Sequence, residues 1–360
     1  MTRTASDRPP VDLRRVVTGV LPLVVAVAVL AYLLPQFADV SDVWQALRSM
    51  TWLEITTLLI AAAWNLVTYG LLMVCTTPGL TLRQAMVVTE SSTAVANTLP
   101  GGGALGIAFT AAMLASWGFS RARTTVSLLV SGLWNNVAKL ALPVLALAWL
   151  ALRGDATPGR VAAAVAGVTG LLAIAFLLWA VLRSEASARR LGRSAEVLVS
   201  RLRSVLGRTP VTGWDRATTK FRARTVLLLQ ARWGRLTLVT LVSHLSLFLV
   251  LLLALRHVGV SEQEVATAEA LAVFAFARLL TAVPITPGGV GVVEVALVTG
   301  LDAAGGGDAQ VVAAVLAFRA LTYVLPVPLG LLTYLYWRGS TAWRREPGQA
   351  PRTSLVPETR

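Results

Sequence analysis

The sequence predicts an all-α, polytopic integral membrane protein with six spanning helices and two re-entrant, Pro-Gly-broken hairpins in an inverted repeat. Three observations carry this reading. Of 360 residues, 56% are hydrophobic and only 14% charged, with a mean hydropathy of +0.69, whereas soluble domains carry about 25% charged residues. The apolar residues fall in runs long enough to cross a bilayer, about 20 residues each. Two further runs are interrupted midway by proline and glycine, which together end a helix.

The first span runs from Val16 to Leu34 behind a basic segment holding Arg3, Arg8, Arg14 and Arg15. It is longer than a signal-peptide core and no A-x-A cleavage site follows, so it reads as a retained helix. Five more spans follow: Trp52 to Cys75, Thr124 to Leu152, Val161 to Leu182, Leu236 to Leu255 and Gln310 to Trp337. The first broken run covers Gln84 to Leu99, meets Pro100-Gly101-Gly102-Gly103, and resumes from Ala104 to Trp117. The second covers Ala266 to Val283, meets Pro284-Ile285-Thr286-Pro287-Gly288-Gly289, and resumes from Val290 to Leu301. Most of these arms reach only about 20 to 27 Å at 1.5 Å per residue, so each pair reads as a re-entrant hairpin.

Loop charge sets the topology. Residues 183–235 hold 13 Lys/Arg against Glu185, Glu196 and Asp215, which marks that segment as cytoplasmic. Counting outward puts both termini, residues 76–83 and residues 117–123 on the same side. The first hairpin then enters from the cytoplasm and the second from outside, so residues 52–152 and 236–337 form inverted repeats, a transporter-type arrangement. The membrane domain spans 1–345, and the Pro-, Thr-, Glu- and Arg-rich tail 346–360 reads as disordered. Within the basic segment Leu191, Ala195, Leu198, Leu202 and Val205 recur at helical spacing, which fits either an interfacial amphipathic helix or a solvated one.

The net charge of +14 would suggest nucleic acid in a soluble protein, but no nucleic-acid module interleaves the arginines. One cysteine, Cys75, excludes an intramolecular disulfide, and His244 and His257 have no ligand pattern around them. No cofactor is implied. No nucleophile triad or phosphate-binding loop occurs outside the apolar runs, so an enzyme has no support.

Each Pro-Gly-Gly break leaves backbone N–H groups unpaired at the start of a half-helix, where the macrodipole adds about half a positive charge. Exposed backbone is tolerated in lipid only where protein or water covers it, so both breaks predict a polar cavity. Ionisable residues within the spans mark the same region, because charge at membrane depth is costly unless paired or hydrated. Arg278 and Arg319 can act as phosphate partners, with Glu294 orienting them or exchanging a proton; equally, Glu294 can simply fasten one arginine as a structural ion pair. Tyr323 follows Arg319 by one turn. Near the first break, Glu90 and Asn97 share a helix face. Ser131, Asn135 and Lys139 form a stripe that interhelical hydrogen bonding explains except at Lys139.

The stretch from Pro284 to Glu294, including Thr286, Pro287, Gly288, Gly289 and Gly291, followed by Ala317 to Tyr323, resembles the lysylphosphatidylglycerol synthase transmembrane, or flippase-like, family. Asn97 to Gly103 resembles that family's looser first motif, and the likeness covers residues 12–340. The resemblance implies lipid translocation between the leaflets of a bacterial plasma membrane. It makes the two breaks, with Arg278, Glu294, Arg319, Tyr323, Glu90, Asn97, Asn135 and Lys139, the headgroup site. The chain stops at Arg360 without the aminoacyl-transferase domain of synthase members, so it reads as a stand-alone flippase-like protein. Ala104 to Thr110 lacks the charges that many relatives carry after the first turn. The implied partners are membrane phospholipids of anionic headgroup, with a homo-oligomer left open. A small-solute or ion transporter using the same breaks, and a non-transporting scaffold, are the rival readings.

Overall fold

The structure is a computed structural model that describes residues 39–99, 101–154, 158–205, 209, 212–281 and 289–345. The expected first span Val16–Leu34 and the tail 346–360 lie outside the described residues. Every element described is helical apart from a single backbone bridge between Trp117 and Arg345.

A short helix α1 (Val40–Arg48) precedes the span α2 (Trp52–Thr76). The start of α2 is fixed by a capping box: Thr51 N–H donates to the Glu54 carboxylate at 2.7 Å, while Glu54 N–H donates back to Thr51 Oγ1. Thr81 and Gln84 repeat the device at the start of α3 (Leu82–Thr98). After the first break, α4 (Gly102–Ser116) folds back against α3. The span α5 (Arg121–Leu152) follows, with Pro143 inside it, then α6 (Pro158–Arg183).

The basic segment is not a loop. It contains α7 (Glu185–Val205) and the first half of α8 (Trp214–His257), a single helix of 44 residues. At 1.5 Å per residue α8 is about 66 Å long, roughly twice a bilayer core. α7 packs along the charged half of α8, with Ala188 buried and Gly192 so close that an added Cβ would meet Trp214 O at 2.7 Å. Glu196 accepts the Trp214 N–H at 2.9 Å and caps α8. That side of α7 therefore faces protein rather than lipid.

The second broken run gives α9 (Thr267–Leu280) and α10 (Val292–Asp302). The last span is α11 (Asp308–Arg319), a π-helical turn (Ala320–Val324) and α12 (Pro326–Gly339). The widened turn has a local cause. Pro326 and Pro328 have no N–H to give the carbonyls four residues back, and their rings crowd those carbonyls. The chain loosens instead, with Leu325 N–H reaching Ala320 O at 2.8 Å.

Among the described residues, four helical stretches are long and apolar enough to cross a membrane: Trp52–Thr76, Arg121–Leu152, Trp214–His257 and Asp308–Gly339. Their outward faces carry Ile60, Leu129, Leu238 and Leu331 at 53–64% exposure, the pattern of a lipid-facing surface. Inside, Phe248, Phe274 and Phe318 stack in sequence at centroid distances of 5.5 and 6.4 Å, at the centre of the main apolar cluster.

The loops sort into two ends. Leu80, Trp117 and Phe119 cluster with Trp337 and Trp343, and Arg345 N–H donates to Ser116 O at 3.1 Å. Arg232 from the charged half of α8 reaches Val74 O at 3.3 Å on that same end. At the opposite end Arg153 meets Glu262 at 3.8 Å, and Arg256 donates to the carbonyls of Val260, Ser261 and Val265. Among the described residues, residues 76–83, 117–123 and the basic arm thus share one end, as the loop charges predict.

Helix contacts also follow a pattern. α2 packs on α8; α3 packs on α12 while α9 packs on α5; and each broken pair, α3 with α4 and α9 with α10, folds on itself.

Candidate functional site

The first break is built by two glycines. Gly101 has φ +67°, the left-handed region, and Gly102 brings the start of α4 so near α3 that a Cβ would lie 2.2 Å from Ala96 O. Only glycine allows that approach. At the second break Gly289 and Gly291 have φ +71° and +84°, and Gly291 N–H donates to the Glu294 carboxylate at 2.8 Å, so Glu294 caps its own half-helix.

Arg319 Nε donates to the other Glu294 oxygen at 2.7 Å, with the two side chains only 10% and 7% exposed. The guanidinium also sits 4.5 Å from the centre of the Tyr323 ring. Tyr323 in turn joins the two breaks. Its hydroxyl donates to Asn97 O at 2.7 Å, and Asn97 Nδ2 donates to Tyr323 O at 3.1 Å. Asn97 is thus a strut between the end of α3 and the last span.

Gly101 to Ala104 from the first break and Gly289 from the second line one cavity of about 830 Å³, along with Glu90, Asn97, Lys139, Arg278, Arg319 and Tyr323. This is within the range of small-molecule sites, about 300–1,000 Å³. Two of its cations have no acidic partner among the described residues. Arg278, on the last turn of α9, has its Nε buried without a hydrogen bond. Lys139, 8% exposed in the middle of α5, forms no ion pair. With Arg319 and Glu294 compensating each other, Arg278 and Lys139 leave the wall positive. Such a wall can hold a phosphate or another anion.

Most residues expected from sequence therefore meet here, though not in equal roles. Glu294 and Gly291 stand behind Arg319 rather than on the wall. Asn135, four residues before Lys139, does not line the cavity. Pro100, Thr286, Pro287 and Gly288 lie outside the described residues. The sequence reading missed Asn65 and Tyr69, which line the wall one turn apart on α2; Asn65 Nδ2 also donates to Ser243 O and Ser246 Oγ. Their i, i+4 spacing within an apolar span was the available signal. His244, set aside as a metal ligand, is 3% exposed within electrostatic reach of Arg278 and Lys139, with Nε2 unpartnered.

The family described as the lysylphosphatidylglycerol synthase TM region matches residues 19–330. The chain belongs to this family. The match covers both broken helix pairs and the whole cavity wall, so the family's membrane region and the site coincide. Membership makes the chain a multi-pass membrane protein related to lipid handling. No curated protein matches the chain.

Proposed function

We propose that the protein translocates an anionic or aminoacylated phospholipid between membrane leaflets, holding the headgroup in the cavity between the two breaks. The observation that carries this is the pair of uncompensated cations, Arg278 and Lys139, facing glycine turns from both breaks across one cavity. A phosphodiester would supply the missing charge, and backbone N–H groups at the half-helix starts would add donors. An apolar groove of about 660 Å³ lined by Leu147, Leu150, Val273, Phe276 and Leu280 meets the cavity at Ala277. That adjacency favours an amphipathic substrate over a free ion, because acyl chains can stay in an apolar environment while the headgroup is held.

In this reading α3–α4 and α9–α10 are re-entrant hairpins, six spans include Val16–Leu34 and α6, and residues 52–152 and 236–337 are inverted repeats. The contacts support it: exchanging the repeats maps α3 on α12 to α9 on α5, and leaves α2 on α8 in place. The end that carries the basic arm is cytoplasmic, following the positive-inside rule. Rocking of one repeat against the other would open the cavity to each leaflet in turn.

The test is reconstitution into vesicles with fluorescent phosphatidylglycerol and measurement of how much becomes accessible to a membrane-impermeant quencher. Exchange above that of empty vesicles is expected, with Arg278→Gln lowering it at least about tenfold, the effect of losing one charge-assisted contact. No exchange with any of several headgroups would sink the proposal. Gradient-driven uptake of a water-soluble solute would favour the small-solute reading instead.

A further inference from the structure

The cavity region holds two carboxylates whose surroundings are opposite. Glu294 is fully engaged by Arg319 and the Gly291 N–H. Glu90 is 4% exposed on the cavity wall, and neither of its oxygens has a hydrogen-bond partner. Its position is fixed. Gly330 of α12 packs so tightly on α3 that a Cβ there would lie 2.3 Å from Glu90 O, and Ser91 shares a 2.9 Å hydrogen bond with Thr333 beside it. The helix cannot turn Glu90 out to find a partner.

Glu90 has no hydrogen-bond donor, and neither Arg278 nor Lys139 on the same wall is in ion-pair contact with it; a buried carboxylate is strongly disfavoured as an ion in that setting, and a proton on it removes the difficulty. The charged and titratable groups facing the same cavity are Tyr69 of α2, Lys139 of α5, Arg278 of α9, Arg319 of α11 and Tyr323 of the π turn. α4 and α12 bring none to the wall. Arg319 is spent on Glu294, and no described group bonds Glu90.

We infer that Glu90 is a proton-carrying site, and that the protein moves an anionic lipid together with a proton. The inference rests on the translocation reading above and adds its driving force. An anionic headgroup and an ionised Glu90 in one low-dielectric cavity repel each other, so the headgroup favours the protonated acid. By reciprocity the proton favours the headgroup. The proton binds a Glu90 oxygen from the more acidic side and leaves on the more alkaline side; no other bond changes. One monoanionic lipid with one proton is a neutral load. Its distribution follows the pH gradient and ignores the membrane potential.

The experiment uses the full chain in phosphatidylcholine vesicles with a trace of fluorescent phosphatidylglycerol, at a pH difference of about one unit and with the potential clamped. One proton per lipid gives an approach to tenfold enrichment in the leaflet facing the alkaline side. Glu90→Gln is expected to abolish the enrichment, leaving an even distribution at whatever rate it attains. If that variant does not fold, the unaltered protein still decides the matter, because a trapped pH dye must report proton entry in step with lipid movement. Exchange with an even distribution, enrichment that persists in Glu90→Gln, or lipid movement without proton movement would overturn the inference while leaving translocation intact. Selective loss of only amine-bearing lipids in Glu90→Gln would overturn it too, by making the carboxylate a headgroup contact. Absence of any exchange in the unaltered protein would remove the translocation reading itself.

Discussion

Replacing Arg319 by methionine keeps most of the side-chain volume and leaves Glu294 with a single donor, the Gly291 N–H at 2.8 Å. Both partners of the lost 2.7 Å contact are at least nine-tenths buried, so the penalty is that of a broken buried pair, about 3–5 kcal/mol. The remaining backbone bond to the carboxylate offsets about 1 kcal/mol. Loss of the cation over Tyr323 adds back a similar amount. A net cost of about 3–5 kcal/mol follows, because the two smaller contributions cancel, read as a lower detergent fraction at the midpoint of SDS-induced unfolding in mixed micelles. Neutralising the partner should repair much of it, so the pair Arg319→Met with Glu294→Gln should cost less than Arg319→Met alone. A single variant within about 0.5 kcal/mol of the parent, or a double variant whose cost is the sum of the two, would refute the assignment of this pair as the clamp on the second half-helix.

Arg278→Gln and Lys139→Gln should behave in the opposite sense. Each removes a cation without an acidic partner among the described residues, so unfolding midpoints should hold or rise while lipid exchange falls at least about tenfold, the exchange of stability for function expected at a binding site. Tyr323→Phe should cost about 1 kcal/mol through loss of its bond to Asn97 O, checked by the same unfolding measurement. Gly102→Ala should cost about 1–3 kcal/mol or more by forcing α3 and α4 apart, seen as lower yield of monodisperse protein. Hydrogen bonds from Thr267, aided by Arg256, hold the Glu262 carboxyl below its usual 4.5. A lowered value means stability present above the unfolded pKa and lost as pH falls through the folded one. Acidification below about 4.5 should therefore loosen the 258–266 loop in hydrogen exchange, and Glu262→Gln should remove that dependence.

Four of the six expected spans coincide with helices long and apolar enough to cross a bilayer, legible because apolar length is a demand of the bilayer, and the Pro-Gly punctuation marked both breaks to within a few residues. The length of α8 was not legible, since hydropathy cannot see a helix continue once it leaves lipid; Arg216 to Arg235 look like loop by composition. The π turn was hidden within an apolar run, although Pro326 and Pro328 were its cause. Within the site, polar residue types at membrane depth pointed to Arg278, Lys139, Glu90 and Asn97. Which arginine Glu294 would take could not be read: Arg278 and Arg319 are both plausible by separation, and only packing brings Arg319 to 2.7 Å. Asn135 shares a helix face with Lys139 but does not line the wall.

α8 also links two distant places in the molecule. It is a single unbroken rod that carries Arg216 and Lys220 at one end and Leu247, on the cavity wall, towards the other. Pivoted where Arg232 grips the end of α2, it has arms of about 27 Å to Trp214 and about 22 Å to Leu247 at 1.5 Å per residue. A rotation of roughly 5° would shift both ends by about 2 Å. Whatever docks on, or pulls at, the basic arm of such a rod would be geared to the wall of the cavity between the two breaks, with almost no mechanical advantage in either direction.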